Sequence, residues 1–348
     1  MHTLCVVIKK NTKVESEKIN MSETVLVTGG AGYIGSTVCD EILKTGRRVV
    51  VVDNFCHGHR AAVPKNCLIE GCSIEETDRL IDIMVRYGVK AVLNFAAFIE
   101  VGESMRDPGV FFANNTMGTL SVLRAMVKAK VDRIVFSSTA AVYGNPKKVP
   151  ITEDQELDPT NAYGESKLMV ERMLRWFEKI HGLKSARLRY FNAAGNTPER
   201  GEDHHPESHL IPLVLQAAMG QRSHISIFGT DYNTPDGTCV RDYVHILDLA
   251  QAHILALEAL EERGNLVYNL GSGQGFSVRQ VIEAVYKVTG LDFTVKEEGR
   301  RPGDPDFLIA SSEKIRRELG WKPKYDSIEA IVDSAWQWRK VHPHGYED

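Results

Sequence analysis

The chain has 348 residues, of which 43% are hydrophobic and 25% are charged, the balance of an ordinary soluble globular protein. Its formal net charge of −4 argues against a nucleic-acid-binding protein, which would carry a basic face. No apolar stretch approaches the roughly 18 residues of a membrane span. The six cysteines form no C-x-x-C pair, so we expect a reducing, cytoplasmic compartment without a disulfide framework.

The first 22 residues carry no targeting signal that we recognise. Residues 4–8 are apolar but too few for a signal-peptide core, and Lys-rich polar residues follow them. Met21 begins a sequence that has the character of a domain start. We therefore expect residues 1–22 to be a disordered extension, or the result of an early start codon, with no catalytic role.

Short apolar runs alternate with helical patterns through the first half of the chain. Alternation of this kind predicts an α/β fold with a doubly wound parallel sheet of the Rossmann type. Any ligand would then lie at the carboxyl ends of the strands. The predicted strands are residues 24–28, 48–53, 91–95 and 133–137, and the predicted helices are residues 33–44, 110–129 and 162–180.

The pattern becomes less regular after about residue 190. Residues 193–239 are rich in Gly, Pro, His, Asp and Asn, with one helical run near residues 211–218. A strand at residues 265–271 and a helix at residues 278–288 follow. We predict a larger domain of residues 23–192 plus about 240–274, and a smaller mixed α/β substrate-binding lobe of about 193–239 plus 275–342.

Three glycines mark a cofactor site. Gly29, Gly32 and Gly35 follow the first strand and open the first helix. Glycines here let the chain turn tightly and let bare backbone approach a pyrophosphate at a helix N-terminus. Asp53 ends the second strand, where a carboxylate accepts hydrogen bonds from a ribose diol and repels a 2′-phosphate. The larger domain is therefore predicted to bind NAD rather than NADP.

A tyrosine and a lysine begin the helix predicted at residues 162–180. The spacing of four places Tyr163 and Lys167 on one helical face. A phenol titrates at about pH 10, so Tyr163 can act as a base near neutrality only if its pKa is lowered. A neighbouring ammonium and a positively charged nicotinamide both favour the phenolate. Thr139 follows the strand at residues 133–137, where its hydroxyl can meet a substrate oxygen beside the nicotinamide.

Taken with these residues, the chain resembles the nucleotide-sugar 4-epimerases of the extended short-chain dehydrogenase/reductase family over roughly residues 22–345. The resemblance implies NAD-dependent inversion at C4 of a UDP-sugar, with UDP-glucose and UDP-galactose interconverted through a transient 4-keto sugar. It also implies a homodimer. The motifs that carry the resemblance are TGGAGYIGS (28–36), VGES (101–104), NN (114–115), SSTAAVYG (137–144), YGESK (163–167), YFNAAG (190–195), IFGTDYNTPDGTCVRDYVH (227–245), YNLGSG (268–273) and RRPGD (300–304).

The resemblance further implies roles for single residues. Tyr163 takes the proton of the sugar 4-hydroxyl, Lys167 lowers the Tyr163 pKa and holds the nicotinamide ribose, and Thr139 orients the reacting oxygen. The remaining implied cofactor contacts are Tyr33, Ile34, Asp53, Asn54, Phe95, Ala96, Ala97, Asn115 and Phe191. The remaining implied substrate contacts are Asn192, Leu210, Phe228, Arg241, Arg301, Asp304 and Leu308.

Three residues bear on alternative functions. Ala140 and Ala141 stand where dehydrating relatives carry the acidic residues that elimination needs, so a dehydratase is not expected. Leu308 stands where a bulky Tyr restricts relatives to plain hexoses, which leaves UDP-N-acetylglucosamine or UDP-xylose as an alternative substrate. A non-catalytic dinucleotide-sensing protein is a remote alternative, and the Tyr163–Lys167 pair argues against it.

Three histidines lie close together in the irregular part of the chain. His204, His205 and His209 could bind a metal ion, but no firm ligand spacing and no nearby Cys supports such a site. The sequence therefore predicts a solvated loop and no metal.

Overall fold

Strands and helices alternate along most of the chain. The computed structural model describes residues 23–301 and 304–347, so the predicted extension at residues 1–22 lies outside the described residues. The strands are β1 (Thr24–Thr28), β2 (Arg48–Asp53), β3 (Leu68–Gly71), β4 (Val89–Asn94), β5 (Arg133–Thr139), β6 (Lys184–Tyr190), β7 (Asn192–Ala194), β8 (Ile225–Phe228), β9 (Val240–His245), β10 (Leu266–Leu270), β11 (Gly275–Ser277), β12 (Val295–Glu298) and β13 (Phe307–Leu308). The helices are α1 (Tyr33–Lys44), α2 (Thr77–Arg86), α3 (Val101–Ser104), α4 (Pro108–Phe111), α5 (Thr119–Ala129), α6 (Ala162–His181), α7 (Leu210–Ala218), α8 (Ile246–Ala259), α9 (Val278–Thr289), α10 (Glu313–Leu319) and α11 (Ile328–Val341).

The largest sheet has seven parallel strands in the order β10-β6-β5-β4-β1-β2-β3. Its central strands are apolar runs because helices cover both faces, and all five residues of β1 are buried. The strand order reverses direction between β1 and β4, which is where a doubly wound fold opens a crevice for its ligand. The predicted Rossmann-type α/β fold is confirmed.

Strand β9 is the centre of a second, smaller sheet. It pairs with β11 in antiparallel fashion and with β7 and β13 in parallel fashion. Strands β8 and β12 form a further parallel pair. The sequence assigned residues from about 240 onward to the larger domain, but β9 hydrogen-bonds within the smaller sheet. Helix α8 packs against α1, so the chain returns to the large sheet after His245.

Most of the predicted elements are present, with small changes at their ends. The helix predicted at residues 110–129 is interrupted, because a π-helical segment at Phe112–Gly118 separates α4 from α5. The helix predicted at residues 162–180 is α6. Strand β6 and helices α8 and α11 were not predicted. Within the part of the chain that the structure describes, no helix is both long enough and apolar enough to cross a membrane.

A buried ion pair joins α6 to the large sheet. The Arg189 guanidinium on β6 donates from Nε to Glu171 Oε1 at 2.9 Å and from Nη2 to Glu171 Oε2 at 2.7 Å. The Ser138 hydroxyl donates to the same carboxylate at 2.6 Å. Burial alone would raise the pKa of Glu171, but the Arg189 guanidinium outweighs burial and holds that pKa below its usual range. Glu171 lies four residues beyond Lys167, so the pair fixes the helical face that carries Lys167.

We predict that Glu171→Ala lowers the free energy of unfolding by about 3–5 kcal/mol, because it leaves the Arg189 charge buried without a counter-ion. The measurement is urea unfolding followed by circular dichroism. Glu165→Ala on the same helix is the control, since Glu165 pairs with Arg172 near the surface at 3.5 Å and such pairs contribute about 1 kcal/mol or less. Equal losses in the two variants would show that the buried pair does not hold α6.

Candidate active site

The turn between β1 and α1 is built around glycine. Gly29 has φ +71°, and a Cβ added there would lie 2.5 Å from the backbone nitrogen of Ala96. A Cβ on Gly35 would lie 2.1 Å from the Gly29 carbonyl oxygen. A Cβ on Gly32 would meet only that same oxygen, at 3.4 Å, so packing of the chain does not require glycine there. Close approach of a phosphate to the backbone does require glycine at position 32. The glycine turn therefore fits the pyrophosphate of NAD.

The first turn of α1 leaves its N–H groups to a ligand. Gly32 is the N-cap residue and supplies no side-chain cap, and the first turn contains no acidic residue. Uncapped N–H groups at a helix start bind anions, and the helix dipole adds a partial positive charge. This arrangement also fits a dinucleotide phosphate.

Asp53 lies at the end of β2, beside the glycine turn. Its Oδ2 accepts from the Ala31 N–H at 2.9 Å and its Oδ1 accepts from the Phe55 N–H at 2.8 Å. Burial raises the Asp53 pKa, and these two hydrogen bonds oppose that rise. Each carboxylate oxygen has a further lone pair, so the group can still accept from a ribose hydroxyl. The neighbouring Asn54 accepts from the Cys56 N–H at 3.1 Å and shapes the turn after Asp53.

The loop after β4 carries the predicted contacts at residues 95–97. The Asn115 amide holds this loop, because it donates to the Phe98 carbonyl at 3.0 Å and accepts from the Phe98 N–H at 2.8 Å. It also donates to the Ser166 hydroxyl at 3.1 Å. Asn115 belongs to the π-helical segment Phe112–Gly118, a helix type that is frequent at functional sites. In this structure Asn115 positions the loop, and its direct contact with the cofactor stays a prediction.

Three further predicted cofactor residues lie around the same edge of the sheet. The Tyr33 hydroxyl donates to the Gly195 carbonyl, and its ring meets His204 edge-on with centroids 6.1 Å apart. Tyr33 thus joins the start of α1 to the segment after β7. Ile34 packs on the core of the large sheet, and Phe191 packs in an apolar cluster beside the end of β5. Their contacts with the cofactor stay predictions.

Helix α6 places Tyr163 beside Thr139. The Asn161 side chain caps the helix by accepting from the Gly164 N–H at 2.8 Å. Gly164 allows the first helical turn to pack on the backbone after β5, since a Cβ there would lie 2.7 Å from the Ala141 carbonyl oxygen. The Tyr163 phenol lies beside the Thr139 hydroxyl as a result, close enough for that hydroxyl to lower the phenol pKa. The structure therefore brings the predicted catalytic residues together.

The electrostatics of the pair are set by burial. Burial raises the pKa of Tyr163 to about 12, the hydrogen bond with Thr139 opposes that rise, and the Glu100 charge adds to it. Burial lowers the pKa of Lys167 to about 7. The Lys167 ammonium donates to the Ser137 carbonyl at 3.0 Å and lies 6.0 Å from the centre of the Tyr163 ring. The sequence predicts that Lys167 lowers the pKa of the Tyr163 phenol. In the structure the protein groups alone do not lower it, because desolvation of the phenol is the larger effect.

A cavity of about 290 Å³ opens beside β7, β9 and the start of α7. The Arg301 guanidinium stacks on the Phe228 ring at 3.8 Å, and the Arg241 guanidinium donates to Asp304 at 3.3 Å. Two guanidinium groups at one cavity suit a diphosphate. The Arg301 guanidinium thus covers a face of the Phe228 ring. The cavity lining contains six predicted substrate residues, namely Asn192, Leu210, Phe228, Arg241, Arg301 and Asp304.

The other predicted substrate residues lie outside the lining of this cavity. Leu308 pairs with Arg241 across the smaller sheet and packs on the same apolar cluster as Phe191. Thr139 pairs with Tyr190 across the large sheet, and two residues later Asn192 reaches the cavity. This short stretch of chain joins the catalytic residues to the cavity. The lining also contains residues that were not predicted to contact substrate, among them Glu202, His209, Arg222 and Tyr243. No local pattern in the sequence distinguishes Arg222 from other surface arginines.

The fold and the site define a dinucleotide-binding α/β protein with a Tyr-x-x-x-Lys pair beside the carboxyl end of a central strand. A model of the NAD dependent epimerase/dehydratase family matches residues 25–271. The chain belongs to this NAD-dependent family.

Curated and solved relatives agree with this assignment. The UDP-glucose 4-epimerase of Halalkalibacterium halodurans is 50% identical over 325 residues, which cover 92% of this chain and 97% of the relative. A crystal structure of a UDP-glucose 4-epimerase has 45% identity and a TM-score of 0.92, and the match covers 94% of this chain and 100% of the other. The Bifidobacterium longum UDP-glucose 4-epimerase, solved with NAD⁺ and UDP, has 36% identity and a TM-score of 0.88, with 93% and 100% covered.

We predict that Gly35→Ala weakens NAD binding, because the added Cβ forces the glycine turn apart. Overpacking of this kind costs about 1–3 kcal/mol, which corresponds to a loss of affinity of roughly 5- to 150-fold. The measurement is isothermal titration of the cofactor-free protein with NAD. Gly299→Ala is the matched control, since a Cβ there meets nothing within 4 Å. Unchanged affinity in Gly35→Ala would contradict the steric argument.

We predict that the stability of the cofactor-free protein rises with pH near neutrality because of Lys167. The unfolded chain keeps this proton up to about pH 10.4, whereas the folded pKa is about 7. Between these values the unfolded state binds more protons, so the free energy of unfolding rises by at most about 1.4 kcal/mol per pH unit.

The comparison is the Lys167→Met variant, which has no titratable group at this position. Urea unfolding of both proteins at pH 7, 8 and 9 should show the native protein gaining stability relative to the variant. If the free energy of unfolding depended on pH equally in the two proteins, burial would not shift the pKa of Lys167.

Proposed function

We propose that this chain catalyses the NAD-dependent inversion of C4 of a UDP-sugar and interconverts UDP-glucose and UDP-galactose. The observation that carries this proposal is the contact between Tyr163 and Thr139 at the end of β5, with Lys167 one helical turn further along. The relatives with this fold are UDP-glucose 4-epimerases.

The roles of the side chains follow from their positions. Thr139 holds the 4-hydroxyl of the sugar against Tyr163, whose phenolate form accepts the hydroxyl proton and later returns it. NAD⁺ held at the glycine turn and Asp53 would supply the acceptor and then the donor of the C4 hydride. Inversion of C4 would require the 4-keto sugar to present its opposite face before the hydride returns. Lys167 adds a positive charge that favours the phenolate against the effect of burial.

The cavity explains how one sugar can present two faces to the same site. Arg241 and Arg301 lie in its wall and are suited to hold the diphosphate. If the nucleotide is the anchor, the sugar is free to turn about the bonds that join it to the diphosphate. We accordingly assign the six predicted substrate contacts of its lining to this cavity, and the predicted cofactor contacts from Gly29 to Ala97 to the edge formed by β1, β2 and β4.

We propose the same two-lobe division as the sequence predicts, with one change. The NAD-binding lobe comprises the seven-stranded sheet and its helices. The nucleotide-sugar lobe comprises the smaller sheet, including β9, because that strand pairs only with β7, β11 and β13 among the described residues.

A homodimer is supported by an exposed apolar surface. Met117 is 57% exposed and Trp176 is 61% exposed, and Val110, Met169 and Ile180 are also exposed large apolar residues. They lie on α4, the π-helical segment and α6. Apolar patches of this kind on soluble proteins mark interaction sites. We also propose a cytoplasmic location, since the cysteines of the described residues are free thiols, as a reducing compartment favours.

The proposal is tested by incubating the purified protein separately with UDP-galactose, UDP-N-acetylgalactosamine and UDP-xylose, and resolving the products by chromatography. We expect UDP-galactose to be converted to UDP-glucose without net formation of NADH. Conversion of the N-acetylated sugar as well would show that Leu308 leaves the pocket open. No conversion of any of the three by NAD-loaded protein would contradict the proposal.

Two variants assign the chemistry to the site. Tyr163→Phe should retain NAD and lose turnover by about 10²- to 10⁴-fold, because it lacks the group that exchanges the proton. Tyr87→Phe is the control, since the Tyr87 hydroxyl donates only to Glu70, away from the site, and its loss should leave turnover unchanged.

A further inference from the structure

Four metal-ligating side chains converge in the loop before α7. Glu202, His204, Glu207 and His209 each offer one ligand atom, and these atoms lie within 4.8 Å of one another. The sequence predicted a solvated loop around these histidines, but the side chains of the nearby Glu202 and Glu207 are only 6% and 5% exposed.

The separations of the ligand atoms match those around a small tetrahedral ion. His209 Nδ1 lies 2.9 Å from Glu202 Oε1 and 2.9 Å from Glu207 Oε1. His204 Nδ1 lies 3.5 Å from Glu202 Oε1 and 3.9 Å from Glu207 Oε2. Zinc bonds of about 2.0–2.2 Å place the corners of a tetrahedron roughly 3.3–3.6 Å apart. The observed distances bracket this range, so small rotations of the side chains suffice to enclose the ion.

Hydrogen bonding within the protein satisfies only part of this cluster, since Glu207 Oε1 accepts from the Ser208 and His209 N–H groups and pairs with His209 Nδ1. His204 Nδ1 and Glu207 Oε2 are both buried and have no hydrogen-bond partner. A buried polar atom left without a partner destabilises the folded protein. These two atoms face each other across the cluster, and a shared cation would satisfy both. The two carboxylates would also balance the charge of a divalent ion.

We propose that Glu202, His204, Glu207 and His209 bind one Zn²⁺ ion. Imidazole and carboxylate ligands in tetrahedral geometry suit zinc better than magnesium or calcium, which prefer six or more oxygens. Four protein ligands leave no open position for a water or a substrate, so the site is structural rather than catalytic.

The ion would stiffen one wall of the substrate cavity. Glu202 and His209 line that cavity, and His209 directly precedes α7. His204 meets the ring of Tyr33, whose hydroxyl donates to the Gly195 carbonyl. Zinc would thus tie the start of α7 to the start of α1. Removing it should raise KM for the UDP-sugar more than it lowers kcat, an effect that rests on the proposed function, whereas metal binding does not.

Metal binding is measured directly on the purified full-length chain. We expect inductively coupled plasma mass spectrometry to find one zinc per chain, and zinc added back to chelator-treated protein to raise the melting temperature by about 5 °C. Co²⁺ in place of zinc should give the intense visible absorption of a tetrahedral site. No stoichiometric zinc, or the faint bands of octahedral Co²⁺, would overturn the proposal.

Single substitutions locate the ion. Glu207→Gln, which keeps the shape of the side chain, and His204→Ala should each lose the zinc and the zinc-dependent rise in melting temperature. His205→Ala should keep both, because its side chain is 74% exposed and its Nδ1 faces Asp203 instead. If His204→Ala does not fold, the zinc content of Glu207→Gln tests the assignment, provided that Glu207→Gln retains NAD binding. Full zinc content in Glu207→Gln, or its loss in His205→Ala, would overturn the assignment.

Discussion

The buried ion pair between Glu171 and Arg189 is the interaction on which the catalytic geometry depends. It joins α6, which carries Tyr163 and Lys167, to β6, and the Ser138 hydroxyl extends the contact to β5 beside Thr139. Two charges are costly to bury, and a bidentate geometry with a further hydrogen bond offsets that cost. The helix is thereby held in one register against the strands, and this register decides which hydroxyl meets the phenol.

Burial also shifts the pKa values of the two titratable residues Tyr163 and Lys167. Desolvation moves the pKa of Tyr163 up and that of Lys167 down, so the protein alone favours a neutral phenol beside a lysine that readily loses its proton. A phenolate forms there only when positive charge accumulates close to it. A base that becomes effective only when an oxidised nicotinamide is bound would couple proton transfer to hydride transfer.

Specific contacts join the edge of the seven-stranded sheet to the segments around the smaller sheet. Tyr33 reaches from the glycine turn to the segment after β7, and the stretch from Tyr190 to Asn192 leads from the end of β6 to the cavity. The cluster around Glu202 lies at the first of these junctions, and the Arg241 and Arg301 side chains lie in the cavity beyond it. Under the proposed function, placement of the nucleotide relative to the reacting carbon would therefore depend on how firmly the loop before α7 is held.

The sequence by itself determined the features that depend only on residues close together in the chain. Glycine spacing, Asp53 at a strand end and the Tyr163–Lys167 spacing each follow from the geometry of one turn or one helix. Only the tertiary structure decided the rest. Strand β6 was missed because Arg187 and Arg189 alternate along it as on a solvated face, yet both are buried against partners elsewhere in the chain. The placement of β9 and the joining of Glu202 to His209 likewise depend on contacts between distant or irregular segments, which no local pattern encodes.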